Sequence, residues 1–224
     1  MRRFKSIFTT IKVEKGEIMY LKFCGFKSKE DVLKAIELPI DAIGFIHFPN
    51  SRRHCDMNQI QQLTTLVPSY IDRVVVLVNP DQTQIQNLVT HTNINTIQFH
   101  GNEPIEIMKW TKSQYPHIKV IKALPAHQKL QDQIVYYKEV VDFLIIDTPS
   151  DQFGGTGQTY DWHLLDNIKG ISFLIAGGLT DQHIKHIQHL SLQHSGYDVA
   201  SGIEIKHHKD VKKMKTIVNI VKGE

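Results

Sequence analysis

Eight short runs rich in Val and Ile, each followed by a longer polar stretch of helical period, constrain this chain more than any other feature. They predict strands over 20–24, 42–46, 73–78, 95–98, 118–122, 142–147, 172–176 and 196–199. Helical segments are expected near 28–37, 56–66, 81–91, 103–114, 127–139, 161–167, 180–189 and 207–222. Such alternation is the pattern of consecutive βα units around a parallel sheet. Val74-Val75-Val76-Leu77-Val78 and Phe143-Leu144-Ile145-Ile146 are apolar on both faces, which suits a barrel or a doubly wound sheet and not an antiparallel one. The count of eight selects the closed (β/α)8 barrel. Helix starts carry their own signals: Ser28 with Asp31 three residues on resembles a capping box, and Asp56, Asp161 and Asp181 stand where helices should begin.

At 224 residues the chain accommodates one such domain, over 19–224, if its loops are short. The formal charge of +3 comes from dispersed basic residues that do not interleave with aromatics, so no nucleic-acid partner is expected. A small anionic substrate explains a mildly basic chain with glycine-rich loops better. No apolar run approaches the roughly 20 residues that would span a membrane. The two cysteines, Cys24 and Cys55, make no disulfide framework, and a reduced, cytoplasmic setting is expected. Thirteen histidines invite a metal reading. However, His183, His186 and His189 recur at helical spacing on a polar segment, and no Cys or carboxylate completes a ligand set, so no metal site is expected. No heptad or apolar stripe announces an interface, and a monomer or a homodimer is expected.

Residues 1–18 form an N-terminal extension with five basic residues and without the apolar core and cleavage site of a secretory signal. Lys15-Gly16-Glu17 can be encoded by AAA-GGA-GAA, a purine-rich ribosome-binding sequence at a sensible distance before Met19, so Met19 is expected to be the true start. An intact mass of the natively expressed protein that includes residues 1–18 would overturn this.

In a parallel barrel all strands direct their carboxyl ends to one face, where residues distant in sequence converge. Cys24 ends the first predicted strand and Asp147 the sixth. A thiol and a carboxyl so placed look like a base and an acid. Asp147 is followed by Thr148-Pro149 and a long glycine-rich loop, which argues against a helix cap. Arg52 and Arg53 follow the second strand, where a guanidinium can hold a carboxylate by paired hydrogen bonds, one facing in and the other solvent. Three glycine-rich elements follow the sixth, seventh and eighth strands: Gly154-Gly155-Thr156-Gly157, Gly177-Gly178 and Ser201-Gly202. Unobstructed backbone amides on that rim suit a phosphate, although any one of the three could serve only as a turn.

Taken together, Lys22-Phe23-Cys24-Gly25, Gly44-Phe45-Ile46 with Pro49-Asn50-Ser51-Arg52-Arg53, Gln98-Phe99-His100-Gly101-Asn102-Glu103, Asp147-Thr148, Gly154-Gly155-Thr156-Gly157 with Asp161-Trp162, Ala176-Gly177-Gly178-Leu179 and Asp198-Val199-Ala200-Ser201-Gly202-Ile203-Glu204 resemble the phosphoribosylanthranilate isomerase family. The resemblance implies a (β/α)8 barrel catalysing an Amadori rearrangement of a small phosphoribosyl substrate without metal or organic cofactor. By position, it implies Cys24 as general base, Asp147 as general acid and Arg53 as the holder of the anthranilate carboxylate. It places the phosphate among Gly177, Gly178, Ser201 and Gly202, with Gly155 and Thr156 closing nearby. Departures from the family pattern are His47 for an aromatic or apolar residue, Arg52-Arg53-His54 for Lys-Arg-Tyr, and Ala200 for a serine. Two alternatives remain open: the histidine-pathway isomerase, which resembles this chain in chemistry but has an aspartate in place of the thiol, and a noncatalytic phosphosugar-binding barrel.

Overall fold

The structure, a computed structural model, describes residues 19–148, 161–190 and 192–223. Eight strands, β1 (Tyr20–Cys24), β2 (Ala42–Ile46), β3 (Asp72–Leu77), β4 (Thr96–Phe99), β5 (Lys119–Pro125), β6 (Phe143–Asp147), β7 (Phe173–Ile175) and β8 (Gly196–Val199), pair in chain order. Parallel pairing of β1 with β8, Tyr20 opposite Gly196 and Phe23 opposite Val199, closes the cylinder. Among the described residues seven α-helices surround it: α1 (Lys29–Ile36), α2 (Met57–Thr64), α3 (Gln82–His91), α4 (Ile105–Gln114), α5 (Leu130–Tyr137), α6 (Asp181–His189) and α7 (Val211–Lys222). No helix among the described residues is long and apolar enough to cross a membrane.

Doubly apolar strands divide their side chains between two cores. Ile121, Ala123, Ile145, Leu174 and Ala176 form a small cluster inside the barrel. The larger cluster, with Phe23, Phe45, Val75, Ile97, Leu144 and Phe173, packs the outer strand faces against the helices. Because strand side chains alternate, the inward position of Ile145 makes Asp147 point the same way at the carboxyl end. Lys22 and Cys24 share a face of β1 for the same reason.

Helix starts follow local chemistry. Ser28 Oγ accepts from the Asp31 amide, and at α2 Asp56 and Gln59 cap each other reciprocally. Thr180, not Asp181, is the cap of α6, with His183 completing the box and Asp181 in the first turn. Two predicted helices differ. Over 161–167 the chain makes a 3-10 turn, Trp162–Leu165, capped by Asp161. The 207–222 prediction begins too early, because Glu204–Ile205 and His208–Lys209, here β9 and β10, form a tight antiparallel hairpin before α7. Its two turn residues, Lys206 and His207, both have positive φ, 48° and 69°, as a two-residue hairpin turn demands. Neither is the Asn or Gly that announces such a turn in a sequence.

The amino-terminal end of the barrel is held by charge. Asp72 accepts from Tyr20, Asn95 and Lys119, and Asp41 accepts from the Leu21 amide and from Lys222 at the end of α7. These contacts tie the last helix to the first strand at the end of the barrel opposite the rim onto which Cys24 and Asp147 open.

Candidate active site

The loops of that rim enclose a cavity of about 580 Å³, a volume usual for small-molecule sites. Cys24, Arg53, Gln98, His100, Asp147, Gly177, Gly178, Asp198 and Ser201 all line it. The two groups on which the sequence reading rests thus border one space. Gly155 and Thr156 lie outside the described residues, as does the extension over 1–18.

Cys24 is buried and sits against Gly44, where a Cβ would come within 2.7 Å of its Sγ and 3.2 Å of Lys22 Nζ. A glycine on β2 therefore makes room for both. Lys22, itself fully buried, donates to Asp198 Oδ1 at 2.8 Å. Burial pushes the Cys24 thiol up, Lys22 pulls it down, and the net displacement is upward. The ligand-free site therefore does not by itself favour thiolate, and Lys22 limits how far burial disfavours it. Cys55, pushed up to about 11 mainly by burial, is the inert thiol that its setting in the outer core suggests.

The arginine pair divides as expected. Arg52 is exposed, while Arg53 is buried and donates through Nε and Nη2 to Glu204 at 2.7 and 2.8 Å. Two of its N–H groups are thereby committed, and the rest of the fork remains for a ligand. Burial pushes the Glu204 carboxyl up, but Arg53 and Lys209 hold it down to about 2. Lys209 Nζ also donates to the Cys24 carbonyl at 2.6 Å. The hairpin that sequence periodicity missed delivers both Glu204 and Lys209 to this spot, and so it braces the ends of β1 and of the β2 loop together.

On the other side Asp147 accepts from the Thr148 amide through Oδ1 at 2.7 Å, and His100 Nε2 lies 3.3 Å from its Oδ2. Gly177 and Gly178 both have positive φ, 88° and 59°. A Cβ on Gly177 would meet Thr148 Oγ1 at 2.1 Å and Asp147 Oδ1 at 2.9 Å, so the packing of Asp147 and Thr148 requires the first glycine of the loop. A Cβ on Gly202 would reach the Leu179 carbonyl at 1.8 Å, so the loops after β7 and β8 lie directly against each other. Among the described residues no cluster of three or more His, Cys, Asp or Glu could hold a metal ion.

The sequence reading passed over Lys22 and Asp198 as individuals, and also Gln98, Lys122 and Glu103. Lysines inside the apolar runs Leu21-Lys22-Phe23 and Ile121-Lys122-Ala123 were the available signal, since a charge in a barrel strand needs a buried partner. His186 and His189 lie on an exposed face of α6 as expected, whereas His183 is half-buried, its Nδ1 3.0 Å from the Gly178 carbonyl.

Comparison with known proteins agrees with this geometry. The family model for N-(5'-phosphoribosyl)anthranilate (PRA) isomerase matches residues 21–220. The N-(5'-phosphoribosyl)anthranilate isomerase of Staphylococcus aureus is 53% identical over 206 residues, which cover 92% of this chain and 98% of that one. The crystal structure of phosphoribosyl anthranilate isomerase from Thermotoga maritima superposes with a TM-score of 0.83 at 28% identity, covering 92% and 100% of the two chains. A crystal structure of a phosphoribosyl anthranilate isomerase in complex with reduced 1-(o-carboxyphenylamino)-1-deoxyribulose 5-phosphate has a TM-score of 0.78 at 26% identity, with the same coverage.

Proposed function

The chain belongs to the phosphoribosylanthranilate isomerase family, and from that premise we propose the parts its cavity takes in the Amadori rearrangement. The reaction converts N-(5-phosphoribosyl)anthranilate to 1-(2-carboxyphenylamino)-1-deoxyribulose 5-phosphate in tryptophan biosynthesis. Asp147 gives its proton to the furanose oxygen as the ring opens, leaving a protonated Schiff base at C1. The electron demand of that cation acidifies the C2 hydrogen, which the Cys24 thiolate removes to give the enolamine. Tautomerisation of the enolamine yields the ketone. No step transfers electrons to or from the protein, and protons lost from one substrate position are regained at another.

The observation that carries the reading is the opening of Cys24 and Asp147 onto one cavity, which Arg53 and the paired glycine loops also line. The charged ends of the substrate fit those features. Arg53, oriented by Glu204, takes the anthranilate carboxylate. Amides of Gly177, Gly178, Ser201 and Gly202 take the phosphate; the expected contribution of Gly155 and Thr156 falls outside the described residues. Following the fluorescence of phosphoribosylanthranilate tests the function directly: purified protein is expected to abolish it in a first-order decay, and an unchanged signal would refute the reading.

Arg53→Ala should act mainly on binding. A charge-assisted hydrogen-bond pair is worth about 1.5–3 kcal/mol, so KM is expected to rise roughly tenfold or more with a much smaller change in kcat. An unchanged KM would move the carboxylate contact to Arg52.

A further inference from the structure

The floor of the cavity contains a second set of polar groups with no part in the steps above. Gln98 on β4 is almost completely buried, and its Nε2 lies 3.0 Å from His100 Nδ1. His100 Nε2 in turn lies 3.3 Å from Asp147 Oδ2. The Gln98 Oε1 is buried without a hydrogen-bond partner among the described residues. A glutamine serving only the core has no reason to leave that oxygen unsatisfied in order to turn its N–H end to a ring.

The ring is fixed from behind. The His100 amide donates to the Leu77 carbonyl at 2.8 Å. In the next turn of chain Glu103 Oε1 accepts from the amides of Asn79 and Gly101, and Glu103 Oε2 accepts from Lys122, which also donates to the Gly101 carbonyl. A Cβ on Gly101 would press on Asn79 Oδ1 at 2.5 Å and Glu103 Oε1 at 2.8 Å, so this loop has one packed arrangement.

We propose that Gln98 and His100 are positioning residues for Asp147, in which the glutamine amide fixes His100 as the neutral Nε2–H tautomer that steers the acid without drawing off its proton. The inference rests on the assignment of Asp147 as the general acid. An N–H of Gln98 pointing at Nδ1 takes the lone pair of that nitrogen and leaves the hydrogen of the neutral ring on Nε2. A neutral Nε2–H can orient Oδ2, leaving the acidic hydrogen for the furanose oxygen. An imidazolium at the same distance would stabilise the carboxylate, and a ring with a bare Nε2 would compete with the substrate for the proton. Other ionisable groups bordering the cavity are Cys24 on β1, Arg52 and Arg53 after β2, and Asp198 on β8. Behind the ring Glu103 and Lys122 neutralise each other at 2.9 Å.

Two measurements on the full chain test this. In 15N-histidine NMR spectra, with His100 assigned by its loss in His100→Gln, the wild-type ring is expected as the Nε2–H tautomer; an Nδ1–H or doubly protonated ring would overturn the proposal. Gln98→Glu replaces the amide donor by an acceptor for Nδ1–H and makes the ring cationic. The kcat–pH profile should then move toward acid, with a neutral-pH rate roughly tenfold lower. His100→Gln, which keeps a neutral donor, should retain more activity than His100→Ala. An unmoved kcat–pH profile in Gln98→Glu, or His100→Ala with wild-type kcat, would overturn the inference alone provided Asp147→Asn is inactive. Wild-type turnover in Asp147→Asn would instead remove the assignment on which the inference stands.

Discussion

Cys24→Ser and Asp147→Asn are each expected to lower turnover about a hundredfold or more, the size of effect that follows loss of a general base or acid. The two substitutions are chosen because the packing around each side chain tolerates them. Serine fits where the Cys24 thiol lies against Gly44, but its hydroxyl is far less acidic and supplies no anion to take the C2 hydrogen. Asparagine keeps an oxygen for the Thr148 amide and the same volume beside Gly177, and it lacks the proton. KM should change little in either protein, because neither group holds a charged end of the substrate. The double variant should be less impaired than the product of the single effects, since the two groups act on one reaction coordinate and slowing one step hides the other. Phosphoribosylanthranilate fluorescence decay measures all three proteins, and near-wild-type rates in both single variants would remove the assigned roles.

How far these residues were legible in the sequence depended on how local their chemistry is. Strand existence and order were readable because burial on both faces leaves an apolar run, and β2 and β8 fall at the predicted bounds, 42–46 and 196–199. Cys24 and Asp147 were readable as well, since each interrupts such a run at its carboxyl end. What escaped was pairing across the barrel. Nothing near Lys22 in the chain names Asp198, 176 residues away, as its partner, and nothing near Arg53 names Glu204, 151 residues away. The hairpin that carries Glu204 and Lys209 escaped for a different reason: its strands are two residues each, too short to show a period, and its left-handed turn is built from Lys206 and His207. The segment over 161–167 carried a genuine cap in Asp161, yet a cap marks where a turn starts and not how long a helix continues.

Lys22→Met is expected to produce the largest loss of stability together with a change in the reactivity of Cys24. Lys22 is fully buried and donates to Asp198, whose side chain is 9% exposed. Removing the cation strands a buried carboxylate, which costs about 3–5 kcal/mol and lowers Tm on the order of 10 °C for a domain of this size. Burial alone would push the Lys22 ammonium down, but Asp198 and the Cys24 sulfur outweigh it and the net displacement is upward. For a group raised on folding, the stabilisation is complete below its ordinary lysine value and fades only as pH climbs through the raised one. The ammonium itself therefore contributes its full share from pH 5 to 9, and the stability difference between wild type and Lys22→Met should be at least as large at pH 9 as at pH 5, where protonation can relieve a stranded carboxylate, as thermal melts will read. Cys24 responds in the opposite sense to the loss. Its thiol is already pushed up by burial and by Asp198 against the pull of Lys22, so without the ammonium it rises further. The pH at which iodoacetamide alkylation of Cys24 reaches half its limiting rate should move toward alkali, and the neutral-pH turnover should fall accordingly. Cys55 does not obscure the assay, since it is buried and ionises only near about 11. Adding Asp198→Asn removes the stranded charge: it should restore most of the lost stability and bring the alkylation limb part of the way back. An alkylation profile identical in wild type and Lys22→Met would show that the ammonium serves Asp198 alone and leaves the thiol to be ionised by the bound substrate.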